Sequence, residues 1–100
     1  MPQNYKPLPD SLTIKESDIQ GLGLFAVERI PADRFLGMGW IKNEMAHDGV
    51  YRTPLGGFIN HSDMPNCVKT EGKKYIFLSS GDKDIEAGEE LTVKYTLYNV

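Results

Sequence analysis

The chain has a single cysteine in 100 residues. Cys67 can form no disulfide within the chain, and one thiol cannot build a zinc cluster. The same scarcity fits a reducing compartment, the cytoplasm or the nucleus. Long apolar runs are missing too: no stretch approaches the roughly 20 residues that a membrane-spanning helix needs. Residues 1–10 have no apolar segment of the kind a secretory signal requires, and Pro2, Pro7 and Pro9 favour extended backbone there. Residues 1–11 therefore read as an N-terminal extended arm, anchored through Tyr5 and Leu8. Charge of one sign is also lacking. The net charge is -3, with 11 Lys and Arg and 14 Asp and Glu mixed along the chain. There is no basic stripe for nucleic acid and no acidic block that would mark a disordered tail. A mildly negative chain is compatible with a basic partner such as a lysine-rich peptide.

Helical periodicity is nearly absent. Short apolar or alternating runs separated by turn residues dominate, which predicts a mostly β fold of several small twisted sheets around one core. Strands are expected at residues 12–15, 24–27, 34–41 and 50–53, the third interrupted by Gly37 and Gly39. Pro31-Ala32-Asp33 marks a turn, and residues 43–47 allow one turn of helix. Residues 66–70 and 74–78 flank Glu71-Gly72-Lys73 and predict a β-hairpin whose second arm is apolar on both faces and hence buried. Residues 90–95 alternate, with Leu91, Val93 and Tyr95 on one face and Glu90, Thr92 and Lys94 on the other. One domain accounts for this length. With so little chain to cover a core, a homodimer is a compatible arrangement.

Three places carry chemistry. Gly21 and Gly23 flank Leu22, a pattern that either makes a tight turn or lets backbone approach a ligand without an intervening Cβ. Asn60-His61-Ser62 follows an apolar run, with Pro65 nearby; these side chains either cap the loop backbone or reach a ligand. Tyr95 ends the alternating run and by itself reads as a core aromatic. Glu89 and Glu90 read as solvated or fold-forming residues. A Cys67–His61 nucleophile pair is disfavoured, and acid–base work by His61 is a poor reading.

In chain order, these places resemble the signatures of the SET family of protein lysine methyltransferases. Gly21-Leu22-Gly23-Leu24-Phe25-Ala26 is similar to its Gly-x-Gly-hydrophobic-Phe-Ala. Phe58-Ile59-Asn60-His61-Ser62 followed by Pro65-Asn66-Cys67 is similar to its Phe-x-Asn-His-Ser-x-x-Pro-Asn-Cys. Gly88-Glu89-Glu90-Leu91-Thr92-Val93-Lys94-Tyr95 is similar to its Gly-Glu-Glu-Leu-Thr-x-Asp-Tyr. The resemblance spans residues 12–98 and is to a minimal, stand-alone domain of viral or prokaryotic type. It implies a SET-domain (β-clip-like) fold with a C-terminal pseudoknot that brings the second and third segments together. It also implies S-adenosyl-L-methionine as cofactor, held by Gly21, Leu22, Gly23, Phe58, Asn60 and His61. Tyr95 would be the catalytic residue, orienting the lysine amine beside the methyl group, and the partner a lysine-bearing protein, with no nucleic acid and no membrane.

The family pattern is not kept everywhere. The segment that usually builds much of the substrate groove is shortened to residues 42–55. Gly37-Met38-Gly39-Trp40 stands where a Tyr-x-Gly is usual, so Trp40, Tyr51 and Tyr98 are the candidate lining of a substrate channel. Gly57 replaces an arginine, Lys94 replaces an aspartate, and no cysteine-rich segment follows Tyr95. Two functions are therefore carried forward. One is methyl transfer to lysine in a protein; the other is a non-catalytic SET-like module that binds a protein partner with or without cofactor.

Overall fold

The computed structural model describes residues 8–94. Along them run β1 (Leu12–Glu16), β2 (Leu22–Ala26), β3 (Phe35–Lys42), β4 (Val50–Arg52), α1 (Pro54–Phe58), β5 (Asn60–His61), β6 (Cys67–Glu71), β7 (Tyr75–Ser80) and β8 (Glu90–Val93). The strands form two four-stranded sheets, ordered β1-β2-β8-β5 and β4-β3-β7-β6. The mostly β architecture predicted from the short alternating runs is the one found.

The first sheet begins as a hairpin, with Leu12 opposite Ala26 and Glu16 opposite Leu22. Its turn closes at Gly21, whose φ of +50° lies where glycine is favoured; the Ser17 N–H donates to the Gly21 carbonyl at 2.8 Å. Ser17 Oγ accepts from the N–H groups of Ile19 (2.9 Å) and Gln20 (3.3 Å), which pins the loop in this shape. β8 then lies beside β2, antiparallel, with Leu24 opposite Leu91 and Phe25 opposite Glu90. On its other side β8 runs parallel to β5, with Asn60 opposite Thr92 and His61 opposite Val93. One strand thus joins all three chemistry-bearing segments. The threading expected of the C-terminal segment concerns residues that continue past Lys94, outside the described residues.

The second sheet is built on the predicted hairpin, with Cys67 opposite Ser80 and Glu71 opposite Ile76. β3 pairs with β7 and slips register twice, between Phe35 and Gly37 and between Met38 and Trp40. Gly37 sits at φ +142°, so the interruption expected at the two glycines appears as irregularities within a continuous strand. The second hairpin arm is less buried than its apolar faces suggested. Leu78 and Ser80 point inward, whereas Tyr75 is exposed, because only one face of this sheet is covered.

The covered faces share one core: Leu24, Ala26, Leu91 and Val93 from the first sheet, Leu36, Trp40, Cys67 and Leu78 from the second, and Leu55 and Ile59 around α1. Each fully buried leucine or isoleucine contributes about 1.5–3 kcal/mol of transfer free energy, the dominant stabilising term in a chain without cross-links. Leu8 packs against this core, while the extended-arm reading otherwise falls on residues 1–7, outside the described residues, and on a turn in which the Leu12 N–H donates to the Pro9 carbonyl (3.1 Å).

The helical turn is not where the sequence suggested. Residues 43–47 form linked turns closed by Ala46 N–H to Asn43 carbonyl (3.0 Å) and Gly49 N–H to Ala46 carbonyl (3.2 Å). The helix is α1, which starts on Pro54 after Thr53, whose Oγ1 accepts from Gly56 N–H at 3.3 Å. Two glycines inside Pro54-Leu55-Gly56-Gly57-Phe58 argue against helix by propensity. Packing overrides them, because Gly56 lies against Gly39 and Trp40 of β3, where a side chain has no room.

Candidate functional site

The site forms where β8 lies between β2 and β5. Ile59, 1% exposed, anchors the end of α1 in the core and delivers Asn60 to the start of β5. From there the Asn60 side-chain amide reaches toward the β1–β2 turn. Its Nδ2 lies 3.1 Å from Ser17 Oγ, 3.2 Å from the Gln20 carbonyl, 3.3 Å from the Leu22 carbonyl and 2.8 Å from Glu90 Oε2. An amide nitrogen has two hydrogens to give. Ser17 already accepts two backbone N–H groups, and its own hydrogen faces Glu90, 2.8 Å from each carboxylate oxygen. The Asn60 hydrogens are therefore best spent on Glu90 and on one of the two carbonyls. What results is a small cradle with more acceptors than donors.

Gly23 forms the wall of this cradle. A Cβ there would overlap the Glu90 carboxylate and come within 3.1 Å of Asn60 Nδ2. The second glycine is needed because a side chain from β8 crosses it, whereas Gly21 is needed for its positive φ. Glu90 is thus half-buried in a hydrogen-bond network, not a solvated strand residue; Glu89 is exposed, its carboxylate accepting from the Glu86 N–H at 2.6 Å. The alternation expected along β8 also breaks down. Thr92 is 6% exposed, alongside Leu91 at 0% and Val93 at 2%, since a central strand is covered on both faces.

Asn66 holds β8 in place. Its Oδ1 accepts from the Thr92 N–H and its Nδ2 donates to the Glu90 carbonyl, both at 2.8 Å, so the side chain serves β8 as a strand partner would. Cys67 follows, 2% exposed, and burial pushes its thiol up to about 12, so it stays protonated and inert. His61 points elsewhere, half-exposed, with Nε2 3.1 Å from Asp63 Oδ1. No nucleophile pair exists between them.

Of the residues singled out in the sequence, Gly21, Leu22, Gly23 and Asn60 come together here. His61 adjoins through β5, Leu22 is 48% exposed at the rim, and Phe58 packs against the core at the end of α1. Trp40 and Tyr51 belong to the other sheet. Trp40 is 6% exposed, with Lys69 Nζ 5.7 Å from its ring centroid, and Tyr51 is 49% exposed on the edge strand β4. Tyr95 and Tyr98 lie outside the described residues. The residues that sequence reasoning missed are Ser17 and Glu90. Ser17 gave no motif signal; Glu90 stood inside a recognised segment but in a pattern that reads as solvated. Among the described residues no cluster of His, Cys, Asp and Glu could hold a metal ion, and no helix is long and apolar enough to cross a membrane.

Residues 38–96, more than half the chain, match the family model of the SET domain. A Schizosaccharomyces pombe histone-lysine N-methyltransferase, H3 lysine-4 specific, is 39% identical over 59 residues, which is 55% of this chain and 6% of that protein. One of the same description from Chaetomium globosum is 32% identical over 111 residues, 79% of this chain and 10% of that protein. The chain thus spans a small part of the curated relatives it matches. The fold is similar to the crystal structure of a Plasmodium falciparum protein provisionally named a histone methyltransferase. The TM-score is 0.71 at 21% identity, covering 90% of this chain and 96% of that one.

Proposed function

The chain belongs to the SET-domain family, and on that premise we propose that it transfers a methyl group from S-adenosylmethionine to the side-chain amine of lysine in a protein substrate, within a reducing compartment. The observation that carries this reading is the convergence of the Gly21-Leu22-Gly23 loop and Asn60 on one acceptor-rich cradle. That cradle fits the amino-acid end of the cofactor. The Gln20 and Leu22 carbonyls and the Glu90 carboxylate suit an ammonium group, which brings three donors to a place where Asn60 has only two. The missing Cβ at Gly23 is what admits the Glu90 carboxylate to that cradle. When bound, the cofactor would supply a methyl group on a positively charged sulfur. Gly21, Leu22, Gly23, Phe58, Asn60 and His61 are assigned to hold it. Tyr95 is assigned to orient the lysine amine, with Trp40, Tyr51 and Tyr98 as candidate channel residues. Displacement at a methyl group depends on in-line placement more than on a strong base, which suits a site where, among the described residues, no His, Cys, Asp and Glu cluster.

Two measurements test the reading. Calorimetry with S-adenosylmethionine should show binding to the wild type and weaker binding to a folded Asn60→Ala variant; equal affinities would remove Asn60 from the site. Single-turnover transfer at saturating cofactor should then fall about 10²-fold in Tyr95→Phe, about 2.7 kcal/mol of transition-state stabilisation, and much less in Tyr98→Phe. An unchanged rate in Tyr95→Phe would end its catalytic assignment. Tight cofactor binding by a wild type that methylates no lysine would instead favour a non-catalytic binding module.

A further inference from the structure

We propose that Glu90 is the counter-charge for the α-ammonium group of the methyl donor, and so makes binding selective for ligands that carry that amine; this rests on the cofactor reading given above. Glu90 projects from β8 across Gly23 into the cradle. The position opposite it in the ladder is Phe25, and the glycine at residue 23 is what admits its carboxylate. It is half-buried, and the partners it has are neutral: Ser17 Oγ at 2.8 Å from both oxygens and Asn60 Nδ2 at 2.8 Å from one. Among the described residues no lysine or arginine is paired with it; Arg29, Lys42 and Arg52 pair with Asp84, Glu71 and Asp48.

A carboxylate held partly out of water by neutral bonds from Ser17 and Asn60 has, among the described residues, no opposite charge beside it, and a charge-assisted bond from a cation is stronger than either. Ionised, it has about four lone-pair sites, of which the described bonds use three at most. Beside it the Gln20 and Leu22 carbonyls share what remains of one amide. An ammonium group placed there would satisfy all three acceptors and bring the missing positive charge. A neutral ligand would leave the charge unpaired. The bond from Asn60 has a second consequence: by pulling the amide toward β8, Glu90 orients Asn60 for the same ligand.

The test is calorimetry on the full chain with two probes. These are S-adenosylmethionine and its analogue in which hydrogen replaces the α-ammonium group. The wild type should bind the first at least about tenfold more tightly than the second, the scale of one charge-assisted contact. Glu90→Gln keeps the shape and removes the charge; it should weaken S-adenosylmethionine by about tenfold or more while leaving the analogue nearly unchanged. Equal weakening of both probes would mean a structural role and overturn the proposal, as would discrimination that survives in Glu90→Gln. A wild type that binds neither probe would overturn this inference and the cofactor reading together. If Glu90→Gln does not fold, Glu90→Asp, which withdraws the charge by one methylene, is compared in the same way. A loss confined to the amine-bearing probe supports the assignment, and a loss shared by both refutes it.

Discussion

Two adjacent glycines in α1 should respond to alanine with opposite signs. By helix propensity alone, Gly56→Ala and Gly57→Ala would each stabilise by about 0.8–1 kcal/mol. The surroundings separate them. A Cβ on Gly57 would meet only Arg52 Cβ, at 3.9 Å, so the propensity gain should be kept. A Cβ on Gly56 would overlap the Gly39 carbonyl oxygen, with its carbon at 2.8 Å and Trp40 Cε2 at 2.9 Å. Backbone cannot step aside as a flexible side chain can. α1 would have to back away from β3, straining the bonds from Thr53 N–H (3.0 Å) and Thr53 Oγ1 (3.1 Å) to the Gly39 carbonyl. Overpacking of this kind costs about 1–3 kcal/mol, and one weakened hydrogen bond adds about 1 kcal/mol. Against a propensity gain of about 1 kcal/mol, the net for Gly56→Ala is about 1–3 kcal/mol destabilising. In a domain of this size that lowers the midpoint by about 5–20 °C, while Gly57→Ala raises it by about 3–8 °C. Thermal unfolding by circular dichroism, with urea melts to check the order, reads both. A Gly56→Ala variant as stable as wild type, or two shifts of the same sign, would refute the packing of α1 on β3. Because α1 leads directly to Asn60, Gly56→Ala should also weaken cofactor binding, which Gly57→Ala should leave intact.

Asn66→Ala should cost about 2–3 kcal/mol in urea unfolding, since it strips two 2.8 Å bonds from the β8 backbone; a loss under about 0.5 kcal/mol would mean that β8 is held by its strand partners alone. Cys67 should resist thiol reagents in the native state and react once the chain is unfolded, as a free, buried thiol pushed up to about 12 requires; rapid native labelling would contradict its burial. The same shift sets a pH dependence. Below its ordinary value of 9.0 the thiol is neutral in both states. From there toward about 12 only the unfolded chain ionises, so stability should fall by at most about 1.4 kcal/mol per pH unit, a slope that Cys67→Ser should remove.

Much of the architecture was legible because it is local. The hairpin of β6 and β7, the turn at Pro31-Ala32-Asp33 and the irregular third strand each depend on residues close in the chain, whose turn chemistry and alternation act within a few positions. What was not legible depends on distant partners. α1 looked improbable from its own glycines, and only Gly39 and Trp40 explain why glycine is required there. The two-sided burial of β8 could not be seen from its alternation, because Thr92 is covered by pairing with β5 and by Asn66 at the same time. Ser17 carried no signal at all, since its partner Glu90 lies 73 positions away.

That last separation bears on how the site is made. The Gly21 to Gly23 loop and Asn60 have no reason to meet through their own strands, since β2 and β5 are not neighbours in the sheet. β8 stands between them and supplies both the backbone that aligns them and the carboxylate that ties them. Its antiparallel pairing to β2 sets Glu90 opposite Phe25, and its parallel pairing to β5 sets Thr92 opposite Asn60. A shift of one residue in β8 would turn Glu90 away from Gly23 and carry Leu91 into the cradle, because successive side chains along a strand face opposite ways. Asn66 blocks that shift by gripping the Thr92 N–H and the Glu90 carbonyl, two groups whose spacing defines one register. The Pro65-Asn66-Cys67 segment therefore acts on the site without entering it: its asparagine keeps β8 in register, and its inert, buried cysteine anchors that asparagine in the core.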